Sequence, residues 1–120
     1  MPLSTDKIAY YYRSAKELKT IEAHEVLLEM LLLSLSYSES LLYAKLVEAG
    51  DKGLTAKEAA RKTYIAYTTA NGAFNKFVRY GIATVQTENI QGTKRTIHGR
   101  WYAPGYMADW YKNRFGEILE

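Results

Sequence analysis

The segment Leu54–Ala83 constrains the fold more than any other part of the chain, because it carries start and stop signals for two consecutive helices. Thr55 and Glu58 have the spacing of a capping box, in which a hydroxyl and a carboxylate satisfy backbone amides at a helix N-terminus. A break at Tyr64–Tyr67 separates this helix from a second one, and Gly81 is placed to end the second helix in a left-handed conformation. The segment therefore predicts two helices joined by a short turn.

The second helix of this pair is predicted to have two chemically different faces. Thr68 or Thr69 is expected as its N-cap. Apolar residues recur at the spacing of one buried helix face, at Ala70, Ala73, Phe74 and Phe77. The opposite face has no acidic residue and carries Thr69, Asn71, Gly72, Asn75, Lys76 and Arg79. Gly72 lies inside this helix and is expected to weaken it by about 1 kcal/mol relative to alanine.

Positive charge is concentrated around the same segment. Residues 51–103 carry nine Lys or Arg and three Asp or Glu, residues 1–50 carry five and seven, and residues 104–120 carry two and three, which gives +3 in total. Clustered Lys and Arg side chains attract a phosphate backbone and displace its condensed counterions. The imbalance indicates a nucleic-acid partner, although a solvated basic surface without a partner has the same composition.

The flanking segments, residues 1–35 and 104–120, are predicted to form helices that mediate dimerisation. The helix from Ile21 to Leu35 is apolar on more than one face, so a second subunit is expected to cover part of it. The closing helix after Pro104 also has a broad apolar stripe. The residues expected at a homodimer interface are Tyr11, Tyr12, Leu27, Met30, Leu31, Trp110, Tyr111, Phe115 and Ile118.

The remaining elements complete a three-helix unit with a β-hairpin over residues 36–103. Ser36 and Glu39 predict a second capping box, at the start of the first of the three helices. After Gly81 the period changes to two, and the chain predicts strands at 82–87 and 96–102, joined by a turn at 89–92. A hairpin of two strands is marginal alone, so it is expected to pack on the helices.

This order of elements resembles small archaeal and bacterial winged helix-turn-helix regulators of the TrmB-like, PadR-like and ArsR-like groups. The matching residues are Leu54–Ala60, Ile65, Thr68, Thr69, Phe74, Phe77 and Arg79–Ile82. The resemblance covers residues 36–103 and implies a mainly α fold with a small β-hairpin, extended by N-terminal and C-terminal helices. Such domains often have glycine in the turn between the two helices, where this chain has Tyr64. Because a bulky residue at positive φ is strained, a longer or differently shaped turn is expected.

The resemblance implies a dimeric, sequence-specific double-stranded DNA-binding protein that regulates transcription. Its recognition helix, residues 68–80, would enter the major groove, and its wing, residues 82–102, would contact the backbone or the minor groove. Asparagine can pair with adenine through two hydrogen bonds, and threonine can reach a base edge. The base-reading candidates are Thr68, Thr69, Asn71, Gly72 and Asn75. The phosphate-contact candidates are Tyr67, Lys76, Arg79, Lys94, Arg95, His98 and Arg100.

Two alternatives share these features. A plasmid or chromosome segregation protein, or an architectural DNA-coating protein, uses the same fold chemistry. A winged helix can also serve as a protein–protein interaction module, since fold does not determine function. No protein partner beyond a second copy is specified by the sequence.

Other classes of protein find little support. The chain has no cysteine, and its two histidines, His24 and His98, lie far apart, so we expect no enzyme activity, metal or cofactor. Its longest apolar run, Val26–Leu35, is too short to span a bilayer, and no signal peptide is present. We therefore expect no membrane partner and a cytoplasmic, nucleoid-associated location.

Overall fold

The computed structural model describes residues 4–17, 21–89 and 97–119, without the side chains of residues 17, 21–24, 88, 89, 97, 98, 106 and 114–119. The helices are α1 Thr5–Glu17, α2 Ile21–Leu33, α3 Tyr37–Ala49, α4 Ala56–Thr63, α5 Tyr67–Arg79 and α6 Gly105–Leu119. The strands are β1 Leu54–Thr55, β2 Thr84–Asn89 and β3 Ile97–Tyr102, and a 3-10 turn spans Gly50–Lys52. The described chain is mainly helical with a small antiparallel sheet, as the sequence predicts.

Both predicted capping boxes are confirmed. At the start of α3, the Glu39 amide donates to Ser36 Oγ at 3.2 Å, and the Ser36 amide donates to Glu39 Oε1 at 2.9 Å. At the start of α4, the corresponding distances between Glu58 and Thr55 are 3.1 and 3.2 Å. Each box satisfies amides that have no partner within the helix, so local sequence determines where these two helices begin.

The two ends of α5 differ in how well the sequence predicts them. The expected N-cap at Thr68 or Thr69 is wrong, because α5 begins at Tyr67 after Ala66, which makes no side-chain cap. The C-terminal signal is confirmed, with Gly81 at φ 81°. Gly81 N–H donates to the Val78 carbonyl and Ile82 N–H to the Phe77 carbonyl, both at 3.0 Å, which is the Schellman arrangement.

The turn between α4 and α5 keeps a left-handed residue, so the expected change of turn shape is wrong. Tyr64 follows α4 with φ 58° and ψ 29°, the conformation in which glycine is favoured. The side chain is 96% exposed, so its ring meets no packed atoms in the described structure. The local strain of a left-handed tyrosine is therefore tolerated rather than avoided, at about 1–2 kcal/mol.

We expect Tyr64→Gly to raise the free energy of unfolding by about 0.5–1 kcal/mol, because the gain in turn geometry exceeds the added entropy of the unfolded chain. Urea denaturation measures this. Tyr37, which is 80% exposed at the first position of α3, provides the matched control. Tyr37→Gly should lower stability by about 0.5–1 kcal/mol. A loss of stability in both variants would mean that the Tyr64 side chain itself holds the turn.

The strands form one three-stranded antiparallel sheet in the order β1-β3-β2. The predicted hairpin is confirmed, with Val85 opposite Trp101 and Thr87 opposite Gly99. Strand β1 was not predicted, because two residues are too few to show a period of two; Leu54 pairs with Trp101 on the other edge of β3. The bounds differ from the prediction, because β2 runs from Thr84 to Asn89 instead of from 82 to 87, and Asn89 pairs with Ile97 instead of beginning the turn at 89–92. The rest of that turn, Lys94 and Arg95 lie outside the described residues.

Helix α3 is the centre of the hydrophobic core. The buried Tyr43 hydroxyl donates to the Ile82 carbonyl at 2.8 Å, which ties α3 to the chain between α5 and β2. Its ring packs edge-on against Phe77 at 5.2 Å and Tyr111 at 5.4 Å between centroids. Elements from the middle and from the C-terminal end of the chain therefore meet around one buried tyrosine.

The terminal helices contribute side chains to this same core. The buried Tyr12 hydroxyl donates to Met107 Sδ at 3.3 Å, joining α1 to α6, and the Tyr80 hydroxyl donates to Asp6 Oδ1 at 3.2 Å. Leu28, Leu31 and Leu32 of α2 are also buried. No helix in the described part of the chain has the length and apolarity needed to cross a membrane.

This packing corrects part of the expected dimer interface. Tyr12, Leu31 and Tyr111 are buried within the protomer, so the prediction that they lie at a dimer surface is wrong. The physical reason is that α1, α2 and α6 use these faces to cover the core. Tyr11 and Met30 are exposed, and Leu27 and Trp110 are half-buried. The side chains of Phe115 and Ile118 lie outside the described ones.

Candidate nucleic-acid interface

The outer face of α5 forms a ridge of Thr68, Gly72, Asn75 and Arg79, which we call the α5 ridge. These residues are exposed and follow one another at intervals of three or four, so they lie along one line of the helix. The opposite face is buried and contains Ala70, Ala73, Phe74 and Phe77. The predicted division of this helix into an apolar inner face and an acid-free outer face is confirmed.

Gly72 leaves an open position in the middle of the α5 ridge. A Cβ built there would meet no atom within 4 Å, and the residue does not have a positive φ. Neither packing nor backbone conformation within the described chain therefore requires glycine. Since glycine weakens a helix interior by about 1 kcal/mol relative to alanine, the position favours a role in which a partner approaches the backbone closely.

A groove of about 750 Å³ lies beside the ridge, between α5, the N-terminus of α4 and one face of the sheet. We call it the α5–sheet groove. Its lining residues are Thr55, Ala56, Lys57, Tyr67, Asn71, Asn75, Val85, Thr87, Gly99 and Trp101. None of these residues is acidic, and the α5 side presents a phenol and two carboxamides at successive helical turns. The groove therefore combines a mainly apolar lining with hydrogen-bonding groups from α5, and no carboxylate lines it.

Trp101 forms part of the sheet wall of this groove. A Cβ at Gly99 would come within 2.7 Å of Trp101 Cη2, so only glycine lets the indole lie over the strand. The ring also packs against Phe74, with 5.2 Å between centroids. Trp101 is 5% exposed, and its Nε1–H has no hydrogen-bond acceptor among the described residues. A buried donor without an acceptor is unfavourable and is uncommon in folded proteins.

Lys76, which is expected to contact phosphate, pairs with α3, and its contact with DNA stays a prediction. Its Nζ lies 2.8 Å from Glu39 Oε2 and 5.5 Å from the centre of the Tyr80 ring. The Glu39 hydrogen bond raises the pKa of Lys76 in spite of partial burial. Helical spacing turns Lys76 to the flank facing α3, and Thr69 is exposed on this same flank. The Lys76 charge therefore has a carboxylate partner, Glu39, within the protomer.

The ion pair makes stability depend on acid pH. Burial acts to raise the pKa of Glu39, but hydrogen bonds from Lys76 and Ser36 and the charge of Lys76 outweigh it and lower the pKa below 4.5. A lowered folded-state pKa contributes stability that is present above 4.5 and is lost as the pH falls through the folded-state value.

We therefore expect Glu39→Gln to reduce stability at neutral pH and to flatten its decline toward about pH 3, because glutamine retains the capping box but not the charge. Urea midpoints across this range measure the effect. Glu48→Gln, which removes an exposed pair with Lys45, is the control and should change stability by less than about 0.5 kcal/mol. Equal pH profiles for Glu39→Gln and the wild type would contradict a stabilising role of the pair.

Arg100 also takes a different position from the expected one. Its Nη1 lies 3.3 Å from Glu58 Oε1 and donates to the Lys52 carbonyl at 3.1 Å. The Thr55 amide and, to a lesser extent, the Arg100 charge lower the pKa of Glu58. Because strand residues alternate between faces, Arg100 projects away from the groove that Gly99 and Trp101 line. Arg100 therefore connects β3 to the start of α4, and its phosphate contact stays a prediction.

Two basic residues near the site were not predicted. Arg13 of α1 donates from Nη1 to the Arg79 carbonyl at 2.6 Å, and both arginines line a cleft of about 340 Å³ at the end of the α5 ridge. Lys57 lies in the groove, in the first turn of α4. Arg13 was missed because its helix was assigned to dimerisation, while Lys57 carries the signal of a cation inside a capping box, between Thr55 and Glu58.

The remaining predicted contacts divide into two groups. Tyr67, Asn71 and Asn75 line the groove, and Thr68 and Arg79 are exposed on the ridge, so the structure brings these five together. Lys94, Arg95 and the side chain of His98 lie outside the described part of the chain. Among the described residues, no group of three or more His, Asp or Glu could hold a metal ion.

In comparisons with known proteins, no family model, no curated protein and no solved structure matches the chain.

Proposed function

We propose that the chain is a winged helix-turn-helix protein that binds double-stranded DNA as a homodimer and regulates transcription. Helix α5 would enter the major groove, and the β2–β3 hairpin would lie against the adjacent backbone or minor groove. The order of elements supports this: α3, β1, α4, α5 and then a hairpin that pairs with β1 is the order expected of a winged helix. The flanking helices α1, α2 and α6 extend this unit.

The observation that carries the proposal is the α5 ridge. A major groove admits an α-helix, provided that the outer face of the helix is exposed and has no charge that repels phosphate. The ridge meets both conditions, and the open position at Gly72 allows the helix backbone to approach a base edge. No other described helix combines an acid-free exposed face with an unexplained glycine at its middle.

Different residues would contact the phosphate backbone and the base edges of the DNA. Arg79, Arg13 and Lys57 lie at three points around the ridge and the groove and would contact phosphates. Asn71 and Asn75 would pair with base edges, because a carboxamide supplies a donor and an acceptor together. Lys76 and Arg100, the other predicted phosphate contacts, each form an ion pair within the protein as well.

The proposed dimer contact is the outer face of α2. Val26, Met30 and Leu33 are exposed at intervals of four and three residues, which places them in one apolar stripe. Leu33, the last residue of the helix, is 68% exposed. A two-fold axis through this stripe would present the α5 ridge twice, at half-sites about 10 bp apart.

A gel shift on random duplex at two salt concentrations tests DNA binding. A dimer that contacts six phosphates should lose about 10³-fold in affinity between about 50 and about 200 mM salt. A footprint of constant length would support a regulator, whereas one that lengthens with protein concentration would indicate a DNA-coating protein. No shift at either salt concentration would overturn DNA binding.

Two substitutions distinguish a residue that contacts bases from a residue that contacts phosphates. Both are measured on a duplex with the preferred sequence and on random duplex. Asn75→Ala should cost about 1–3 kcal/mol on the preferred sequence and little on random duplex. Arg79→Gln should weaken binding to all sequences and reduce the salt slope by about one ion per protomer. Quantitative gel shifts with both duplexes measure these effects. A uniform loss for Asn75→Ala would contradict its assignment as a base-reading residue.

A further inference from the structure

We infer that Tyr64 contacts DNA directly, its hydroxyl donating a hydrogen bond to a phosphate beside the N-terminal end of α5. This contact rests on the proposed function and adds to it a residue that the sequence did not place at the interface. The observation behind it is a tyrosine that has a left-handed backbone and an almost fully exposed side chain.

The backbone at Tyr64 has a conformation that other residues adopt at lower free energy. Within the described chain, Tyr64 is the one residue other than glycine with a positive φ, at φ 58° and ψ 29°. Glycine takes this conformation readily, and asparagine takes it more readily than tyrosine does. The shape of the turn therefore does not explain why a tyrosine stands here.

Packing within the protomer does not explain the tyrosine either. Its side chain is 96% exposed, more than any other large apolar side chain in the described part of the chain. Residues that keep an unfavourable backbone conformation are concentrated at functional sites, where the strain is part of the role. A strained tyrosine that the rest of the fold does not contact therefore indicates a partner outside the chain.

The charge around this turn favours a phosphate as that partner. The sequence has no Asp or Glu from residue 59 to residue 87. Arg61 and Lys62, in the last turn of α4, are exposed and form no ion pair with a carboxylate of the described residues. A phosphate oxygen is a charged acceptor, and hydrogen bonds to charged acceptors are stronger than those between neutral groups. The turn therefore offers a hydroxyl donor beside two cations.

The length of α5 places this turn near the DNA backbone. The helix has 13 residues and is about 20 Å long, whereas the major groove is about 12 Å wide. A helix that crosses the groove therefore reaches phosphates at both of its ends. Arg13 and Arg79 lie at the C-terminal end of the α5 ridge. Tyr64 precedes Thr68, the first residue of the ridge, by four residues and would contact a phosphate at the other end.

Tyr64→Phe tests the hydroxyl alone, because the ring and the left-handed backbone stay. The affinity for duplex DNA, measured by quantitative gel shifts, should fall about five- to tenfold per protomer. The free energy of unfolding should stay that of the wild type. Because the phenol carries no charge, the salt slope should also be unchanged, unlike that of Arg79→Gln.

Two further variants control for folding and for exposed tyrosines in general. Tyr64→Gly should lose affinity to the same extent while its stability rises, so unfolding cannot explain the loss. Tyr37→Phe is the matched control, because Tyr37 is 80% exposed at the first position of α3, away from the α5 ridge in sequence. This variant should bind DNA as the wild type does.

Duplexes with one methylphosphonate locate the phosphate that Tyr64 contacts. This replacement removes the charge and one acceptor oxygen of a single phosphate. At the contacted position, the wild type and Tyr64→Phe should bind with equal affinity. At every other position the difference of about five- to tenfold should remain, because independent changes add.

Three results would contradict the contact. Wild-type affinity for Tyr64→Phe, with a normal gel shift, would overturn the inference and leave the proposed function intact. A change in the sedimentation of free Tyr64→Phe would also overturn it, by placing the phenol at a contact between copies of the chain. The absence of any gel shift for the wild-type protein would overturn the proposed function and the contact together.

Discussion

Gly72→Gln is expected to reduce the affinity of the protein for duplex DNA by at least about 100-fold, which equals the loss of two base contacts. The open position in the middle of the α5 ridge would then carry a side chain of five heavy atoms. This side chain would keep the helix away from the base edges in the DNA major groove. The folded protein loses nothing, because a Cβ at this position meets no atom within 4 Å. Replacing glycine in a helix should also raise the free energy of unfolding, by about 0.5–1 kcal/mol.

The expected result is a lower DNA affinity together with a higher free energy of unfolding. Misfolding would lower both, so it cannot explain this result. Gel shifts measure the affinity and urea denaturation the stability of the same sample. Gly105→Gln is the matched control, since Gly105 begins α6 and also has no atom within 4 Å of a built Cβ. This variant should bind DNA as the wild type does. Wild-type affinity for Gly72→Gln would mean that α5 does not dock through its ridge.

Tyr12→Ala is expected to lower the free energy of unfolding by about 3–5 kcal/mol, the range for deleting a large aromatic side chain from a core. The Tyr12 side chain is fully buried, and its hydroxyl donates to Met107 Sδ, so truncation leaves a cavity and separates α1 from α6. The loss is large compared with a total stability of about 5–15 kcal/mol for a domain. Thermal or urea unfolding measures it.

Tyr11→Ala is the matched control, because its ring is adjacent in sequence but 45% exposed. Its stability should change by less than about 0.5 kcal/mol. Sedimentation of both variants separates the core from the interface. A loss for Tyr12→Ala that grows as the protein is diluted, together with a change of this variant in sedimentation, would restore the interpretation that α1 contributes Tyr12 to a dimer.

The starts and ends of helices were predicted most reliably from the sequence, because they depend on residues within one helical turn. Ser36 with Glu39 and Thr55 with Glu58 predict helix starts that the structure contains, because each box closes within one helical turn. Gly81 predicts the end of α5 for the same reason. The N-cap of α5 was predicted wrongly, because two threonines in the first turn are equally good signals and the helix begins without either of them.

Partner choice among distant residues was not predictable. Lys76 and Arg100 have the residue type of phosphate contacts, but Glu39 lies on another helix and Glu58 follows a strand that pairs only after folding. A carboxylate that lies tens of residues away in the chain leaves no periodic signal around the lysine or arginine it pairs with. Arg13 was not predicted for the same reason, because α2, α3 and α4 separate it along the chain from Arg79, whose carbonyl it contacts.

The sequence by itself determined the helices, the β2–β3 hairpin and the two faces of α5, but not strand β1, because caps and periodic patterns act over one or two turns of chain. Only the tertiary structure decided which basic residues are neutralised, which aromatic rings are buried, and that Trp101 lies over Gly99 in a groove beside Asn71 and Asn75. These outcomes depend on helices and strands meeting across the core. Packing brings together residues whose separation along the chain carries no information about their distance in space.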